Sequence, residues 1–239
     1  MFVTVLRETC VMSDSILEIH ELKKSYRAPT GEIQLVVDVP VFSMREGEQI
    51  ALEGTSGSGK TTFLNLIAGI LQADSGRITV AGEDMARLSE GGRDRVRAKN
   101  IGYVFQTFNL LQGYTALQNV ELGMMFGRGA DVAFATALLE RVGLKDRMHY
   151  LPRQLSVGQQ QRVAVARALA NHPKLVLADE PTGNLDFRRA HEALTMIREV
   201  CRENGAALLL VSHSRDVLAE FENRSDLADI NRAVLAEVQ

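Results

Sequence analysis

Several short stretches of this chain carry residue types that can do chemistry on phosphates. The longest is Gly54-Thr55-Ser56-Gly57-Ser58-Gly59-Lys60-Thr61-Thr62, which has the spacing G-x-x-x-x-G-K-[ST]. Its glycines let the backbone curl so that successive N–H groups face one point, and a helix starting there adds the positive end of its dipole. Lys60 can then reach terminal phosphates, and the Thr61 hydroxyl can ligate Mg²⁺. Asp179-Glu180 is a pair of adjacent acids. One acid can hold the water shell of the metal while the other polarises an attacking water. Gln106 can reach metal or water through its carbonyl oxygen, and His213 can point into the same crevice. Leu155-Ser156-Val157-Gly158-Gln159 offers a second anion site, made from the Ser156 hydroxyl and the N–H groups of a helix start. Each stretch also has a plainer reading: a Gly-Ser linker, exposed carboxylates, a surface amide, a structural histidine, an ordinary helix cap.

The elements around these residues favour the chemical readings. Glu48-Gln49-Ile50-Ala51-Leu52 reads as a strand entering the glycine loop, and Phe63 to Gly69 reads as a helix leaving it. Ile101 to Phe105 reads as a strand ending at Gln106. Lys174 to Ala178 and Ala206 to Val211 are short apolar runs, expected as buried strands that end at Asp179-Glu180 and Ser212-His213. Gln159 to Leu169 and Asp186 to Glu203 read as helices, as does the polar stretch 87–100 with a loop inside it. Strands alternating with helices predict an α/β fold with a mixed, mostly parallel sheet.

The boundaries expected from this pattern are as follows. Residues 1–15 show no periodicity, and they read as a mobile extension of which 1–11, before Met12, are dispensable. Residues 16–106 and 158–224 form the nucleotide-binding core. Residues 107–157, where Leu117, Val120, Met124, Leu138, Leu139 and Val142 fall at helical spacing, form an inserted helical subdomain. Tyr26 lies in a basic, turn-rich stretch, and Pro40 makes the second strand an edge or interrupts it. In the tail, 225–239, Leu227, Ile230 and Val234 are at helical spacing, with Ser225 as cap.

Composition excludes several classes. The chain has 239 residues, 46% hydrophobic, enough for a sizeable core, and a net charge of -3, which gives no basic field for nucleic acid. Its two cysteines, Cys10 and Cys201, fit a reducing compartment. Its five histidines have no metal-ligand spacing. No apolar run spans a bilayer, and the first residues lack a charged leader, so the chain is expected in the cytosol or peripheral on the cytoplasmic face of the cell membrane.

Taken jointly, the motifs resemble the ATP-binding cassette (ABC) ATPases over residues 16–215. The matches are Walker A at 54–62, the Q-loop Gln106, the signature Leu155 to Gln159, Walker B ending at Asp179-Glu180, the D-loop Gly183-Asn184-Leu185-Asp186, and the switch His213. Gln106 to Leu111 with Leu117-Gln118-Asn119-Val120 is similar to the branch serving lipoprotein release, macrolide export and bacterial cell division. The resemblance implies a P-loop fold that hydrolyses ATP with Mg²⁺. It also implies a head-to-tail pair of subunits holding two ATP, each between the Walker A loop of one and the signature of the other. By the same resemblance Tyr26 stacks on adenine, Lys60, Glu180 and His213 act in catalysis, and Thr61, Gln106 and Asp179 serve Mg²⁺. Gly54 to Thr62, Gln106, Ser156, Gly158 and Gln159 contact nucleotide. A transmembrane permease subunit is the implied partner, and no nucleic acid. Two departures stand out: Val157 replaces the first glycine of the signature pair, and the tail lacks the glycine turn of the usual terminal β-hairpin.

The leading reading is the energising subunit of an export or extraction complex. The alternative is a mechanotransmitting ATPase that regulates cell-wall enzymes through a transmembrane partner without transport. Soluble ABC ATPases of DNA repair or translation carry long coiled-coil insertions or two cassettes, and neither occurs in this sequence. A small-molecule kinase leaves the signature and His213 unexplained.

Overall fold

The computed structural model describes residues 14–183 and 185–236. The expectations for residues 1–13, for Asn184 of the D-loop and for 237–239 lie outside the described residues.

In chain order the elements are β1 (Ser15–Arg27), β2 (Ile33–Arg45), β3 (Gln49–Glu53), α1 (Lys60–Ile67), β4 (Ser75–Val80), β5 (Glu83–Asp84), α2 (Glu90–Asn100), β6 (Ile101–Val104), α3 (Ala116–Met125), α4 (Val132–Arg141), α5 (Val157–Leu169), β7 (Leu175–Asp179), α6 (Phe187–Glu203), β8 (Ala207–Ser212), α7 (Arg215–Ala219), β9 (Asn223–Asp226), α8 (Leu227–Ile230) and α9 (Arg232–Ala236). The strands form two separate sheets. One has the order β6-β7-β8-β3-β9 and is parallel throughout. The other has the order β2-β1-β4-β5 and is antiparallel. The parallel and antiparallel parts of the expected mixed sheet are therefore distinct layers.

Every residue of β7 and β8 is buried, because helices or the second sheet cover both faces of the parallel sheet. Side chains alternate across it. Val176, Ala178, Leu208 and Leu210 join a cluster with α3, α4, α5 and α6. Leu175, Leu177, Leu209 and Val211 join a second cluster with α1 and the antiparallel sheet. Gly102 of β6 marks how closely α5 crosses the sheet: a Cβ there would lie 2.2 Å from the Ala168 carbonyl oxygen.

The edge reading of the Pro40 strand agrees with the observed order, in which β2 is terminal and pairs with β1 alone. Tyr26 is not in a turn. It lies near the end of β1, opposite Gln34, and the reversal comes after it, where the Ala28 carbonyl accepts the Gly31 N–H. Between β6 and α5, helix α3 starts at a capping box in which Thr115 and Gln118 satisfy one another's backbone N–H groups. Asn119, almost fully buried, accepts the Leu111 N–H and donates to the carbonyls of Leu111, Tyr114 and Thr115, which fixes the loop before α3.

The tail departs from expectation at its start. Ser225 does not cap a helix. It sits in β9, opposite Leu52 of β3, because the outer edge of β3 offers an open row of backbone partners. The helical part begins at Leu227, and the Asp226 carboxylate caps it by accepting the Ala228 N–H at 2.8 Å.

Candidate nucleotide site

Three parallel strands deliver the site from their carboxyl ends. β3 runs into the glycine loop, β7 ends at Asp179, and β8 ends at Ser212. The loop turns with Gly57 and Gly59 in the left-handed region, at φ 84° and 87°, and Gly59 is the N-cap of α1. Gly59 is doubly required, since a Cβ there would also come 2.9 Å from the Val36 carbonyl of β2. The Lys60 side chain is buried and folds back under the loop. Its Nζ donates to the Gly54 and Thr55 carbonyls, each at 2.7 Å, and lies 3.5 Å from Glu180 Oε1.

Beside it, the Thr61 hydroxyl donates to Asp179 Oδ2 at 2.7 Å. Asp179 Oδ1 is buried with no hydrogen-bond partner. Burial pushes the Asp179 carboxyl above its ordinary range; the Thr61 bond opposes that rise, Glu180 adds to it, and Lys60 opposes it. An orphaned, desolvated carboxylate oxygen beside a hydroxyl is a hard-oxygen donor set, which fits Mg²⁺.

Glu180 is buried and held from several sides. Ser212 Oγ donates to Oε2 at 2.9 Å, the His213 N–H donates to Oε1 at 3.0 Å, and His213 Nδ1 lies 2.8 Å from the same oxygen. Its backbone is left-handed, at φ 44°, a region costly for a side chain with a Cβ. The Glu180 N–H still bonds the Val211 carbonyl, so the distortion extends the parallel pairing by one residue and turns the carboxylate toward Lys60. The His213 side chain is 64% exposed and covers the outer side of the carboxylate.

Loop residues Thr55, Ser56, Gly57, Gly59, Lys60, Thr61 and Thr62 line one cavity of about 590 Å³ together with Val36, Gln106, Asp179, Glu180 and His213. The fold thus brings together the glycine loop, the acid pair, Gln106 and His213. Tyr26, 40% exposed, is not among the lining residues. Ser156, Gly158 and Gln159 line a different cavity of about 330 Å³, with Leu185 and Arg189, and the two linings share no residue. There Ser156 caps α5 in a capping box: its Oγ accepts the Gln159 N–H, and Gln159 Oε1 accepts the Ser156 N–H. Arg167, farther along α5, donates to the Phe108 and Asn109 carbonyls and so ties the segment after Gln106 to the helix that Ser156 caps.

Sequence reasoning missed Val36, Ser212 and Asn231 as neighbours of the loop and the acid. Ser212 was legible, since it precedes His213 at a strand end. Val36 and Asn231 had no local signal, because β2 packing and the Asn231 side-chain amide bring them to the loop.

A glycine loop between a parallel strand and a helix, with a hydroxyl-paired aspartate at the end of another strand of the same sheet, defines a P-loop nucleotide hydrolase. Residues 38–183 match the family described as ABC transporter, and the chain belongs to that family as its ATP-binding, ATP-hydrolysing cassette. It is 41% identical over 218 residues to the lipoprotein-releasing system ATP-binding protein LolD of Shewanella oneidensis, covering 89% of this chain and 94% of that one. It is 42% identical over 225 residues to LolD 2 of Rhodospirillum rubrum, covering 91% and 96%. It is also 41% identical over 214 residues to YbbA of Escherichia coli K12, an uncharacterized ABC transporter ATP-binding protein, covering 88% and 93%. Among solved structures it resembles the dimeric post-hydrolysis state of the cassette MJ0796 bound to ADP and Pi, with a TM-score of 0.80 at 34% identity, covering 88% of this chain and 94% of that one. No helix among the described residues is long and apolar enough to cross a membrane.

Proposed function

We propose that this chain is the energising subunit of a membrane complex that releases or exports a lipoprotein-, lipid- or drug-like substrate. It would sit on the cytoplasmic face against a transmembrane permease and work as a head-to-tail pair of copies around two ATP. The observation that carries this reading is the separation of the two anion sites. The loop and its acids line one cavity, while Ser156, Gly158 and Gln159 line another with no residue in common. A second copy can bring its α5 start to the loop of the first. The dimeric MJ0796 cassette supports the pairing, and the relatives named for lipoprotein release support the substrate class.

Within each site the chain's own residues divide the work. The loop amides and Lys60 bind and orient the phosphates. Thr61 and Asp179, with Gln106, would hold Mg²⁺, which would supply charge to neutralise the phosphates. Glu180 accepts the proton of the attacking water, and His213 and Ser212 fix the direction of its carboxylate. Tyr26 offers an aromatic face to adenine from the end of β1.

Glu180→Gln tests the assignment. It keeps the size of the side chain and removes the basic oxygen, so turnover should fall by about 10² to 10⁴ while ATP stays bound. With both anion sites occupied, light scattering should show an ATP-dependent doubling of mass, read with and without the membrane partner. Near-normal hydrolysis removes Glu180 as the base, and a mass that ignores nucleotide removes the paired arrangement.

A further inference from the structure

α8 and α9 are joined by a single residue, Asn231, which is 1% exposed. Its Oδ1 accepts the Asp38 N–H at 2.7 Å, and its Nδ2 donates to the Val36 carbonyl at 2.9 Å. Residues two apart on a strand face the same way, and Val36 and Asp38 turn these groups toward the free edge of β2. One side-chain amide therefore stands in for a neighbouring strand's peptide. Oδ1 also accepts the Ala233 N–H at 3.3 Å.

The same amide reaches the phosphate loop. Nδ2 lies 3.5 Å from the Ser58 carbonyl oxygen, a long contact, and 3.6 Å from where a Cβ on Gly59 would be. The Val36 carbonyl that it holds is the atom packed hardest against Gly59. In a trans peptide the carbonyl and the following N–H point to opposite sides. A Ser58 carbonyl turned toward Asn231 sends the Gly59 N–H to the other side of the loop, away from the β2 edge.

We propose that Asn231 is a positioning residue of the nucleotide site: it sets the Ser58–Gly59 peptide and the β2 backbone behind it, so that phosphate binding depends on the C-terminal helices. This rests on the reading of Gly54–Thr62 as the phosphate loop. Loss of the amide leaves the Val36 carbonyl and the Asp38 N–H without their partner and frees the loop to rotate that peptide.

The test uses the full chain. ATP affinity is measured by titration with a fluorescent ATP analogue, and amide hydrogen exchange is followed without nucleotide. Asn231→Ala should weaken ATP binding by about tenfold, whereas Leu227→Ala, which removes a buried apolar side chain of the same tail, should lower Tm but leave affinity within about twofold. Exchange at residues 54–60 should rise in Asn231→Ala while β8 keeps its protection. If Asn231→Ala does not fold, Asn231→Asp keeps the acceptor and loses the donor, and the nucleotide-free exchange of 54–60 is read in it instead. Wild-type affinity and loop exchange in the Asn231 variant overturn the proposal, as does equal weakening by Leu227→Ala. Lys60→Ala separates the underlying reading: if it binds ATP as well as wild type, the phosphate-loop assignment itself has failed.

Discussion

α1 and α5 both begin at residues read as anion sites, and the fold prepares them in opposite ways. α1 starts at a left-handed glycine with no side-chain cap, so its first N–H groups are presented without competition from a local oxygen. Around it, Lys60 and Thr61 of α1 meet Asp179 and Glu180 at the end of β7: Thr61 is hydrogen-bonded to Asp179, and Lys60 is paired with Glu180. α5 starts at Ser156, whose hydroxyl already accepts the Gln159 N–H, and Val157 beside it is 45% exposed. The first site is assembled within one chain. The second is a satisfied helix cap, and on the proposed paired arrangement it becomes a site when a second copy meets it. On that reading one chain carries a half that is already wired and a half that needs a partner surface.

Substitutions in the two halves should therefore fail differently. Lys60→Ala removes a charged phosphate contact from the wired half, and ATP binding should weaken by roughly 10- to 100-fold in the isolated subunit. Titration with nucleotide checks this, and unchanged affinity would erase the distinction between the two helix starts. Ser156→Ala should leave that intrinsic affinity alone. It should cost about 1 kcal/mol of stability through the lost cap and reduce ATP-dependent pairing. Denaturant melts and light scattering separate the two effects; a drop in monomer ATP affinity would mean that the α5 start is not the dormant half. Val157→Gly is the finest probe. Val157 is 45% exposed, and a Cβ at the neighbouring Gly158 would meet open space. If its bulk limits docking, pairing with ATP should rise by a small factor against a stability loss of a few tenths of a kcal/mol. Unchanged pairing would mean that the branched side chain points away from the facing phosphate.

The same contrast explains what the sequence could disclose. β7 and β8 were legible because strands buried on both faces must be apolar throughout, and that pattern placed Asp179, Glu180 and His213 at strand ends. The glycine loop was legible because its chemistry fixes residue types at fixed spacing. Val36 and Asn231 were not, since they reach the loop through β2 packing and a side-chain amide rather than through any local pattern. The tail shows a second limit: the spacing of Leu227 and Ile230 marked a helix, but β9 takes Ser225, because the open edge of β3 cannot be seen from residues 223–226 alone. The split into two sheets was likewise invisible, since alternation within a strand does not say which neighbour it will pair with.

Glu180 sits in a left-handed backbone held by the grip of Ser212, His213 and the Val211 carbonyl. Such a conformation in a residue with a Cβ costs on the order of 1 to 3 kcal/mol, a substantial part of the margin by which domains stay folded. Glycine at this position would shed that strain together with the carboxylate. If Glu180 is the base proposed above, variation screened only for thermal resistance would drift toward chains that bind ATP without hydrolysing it, and selection for turnover would hold this position against the pull of stability.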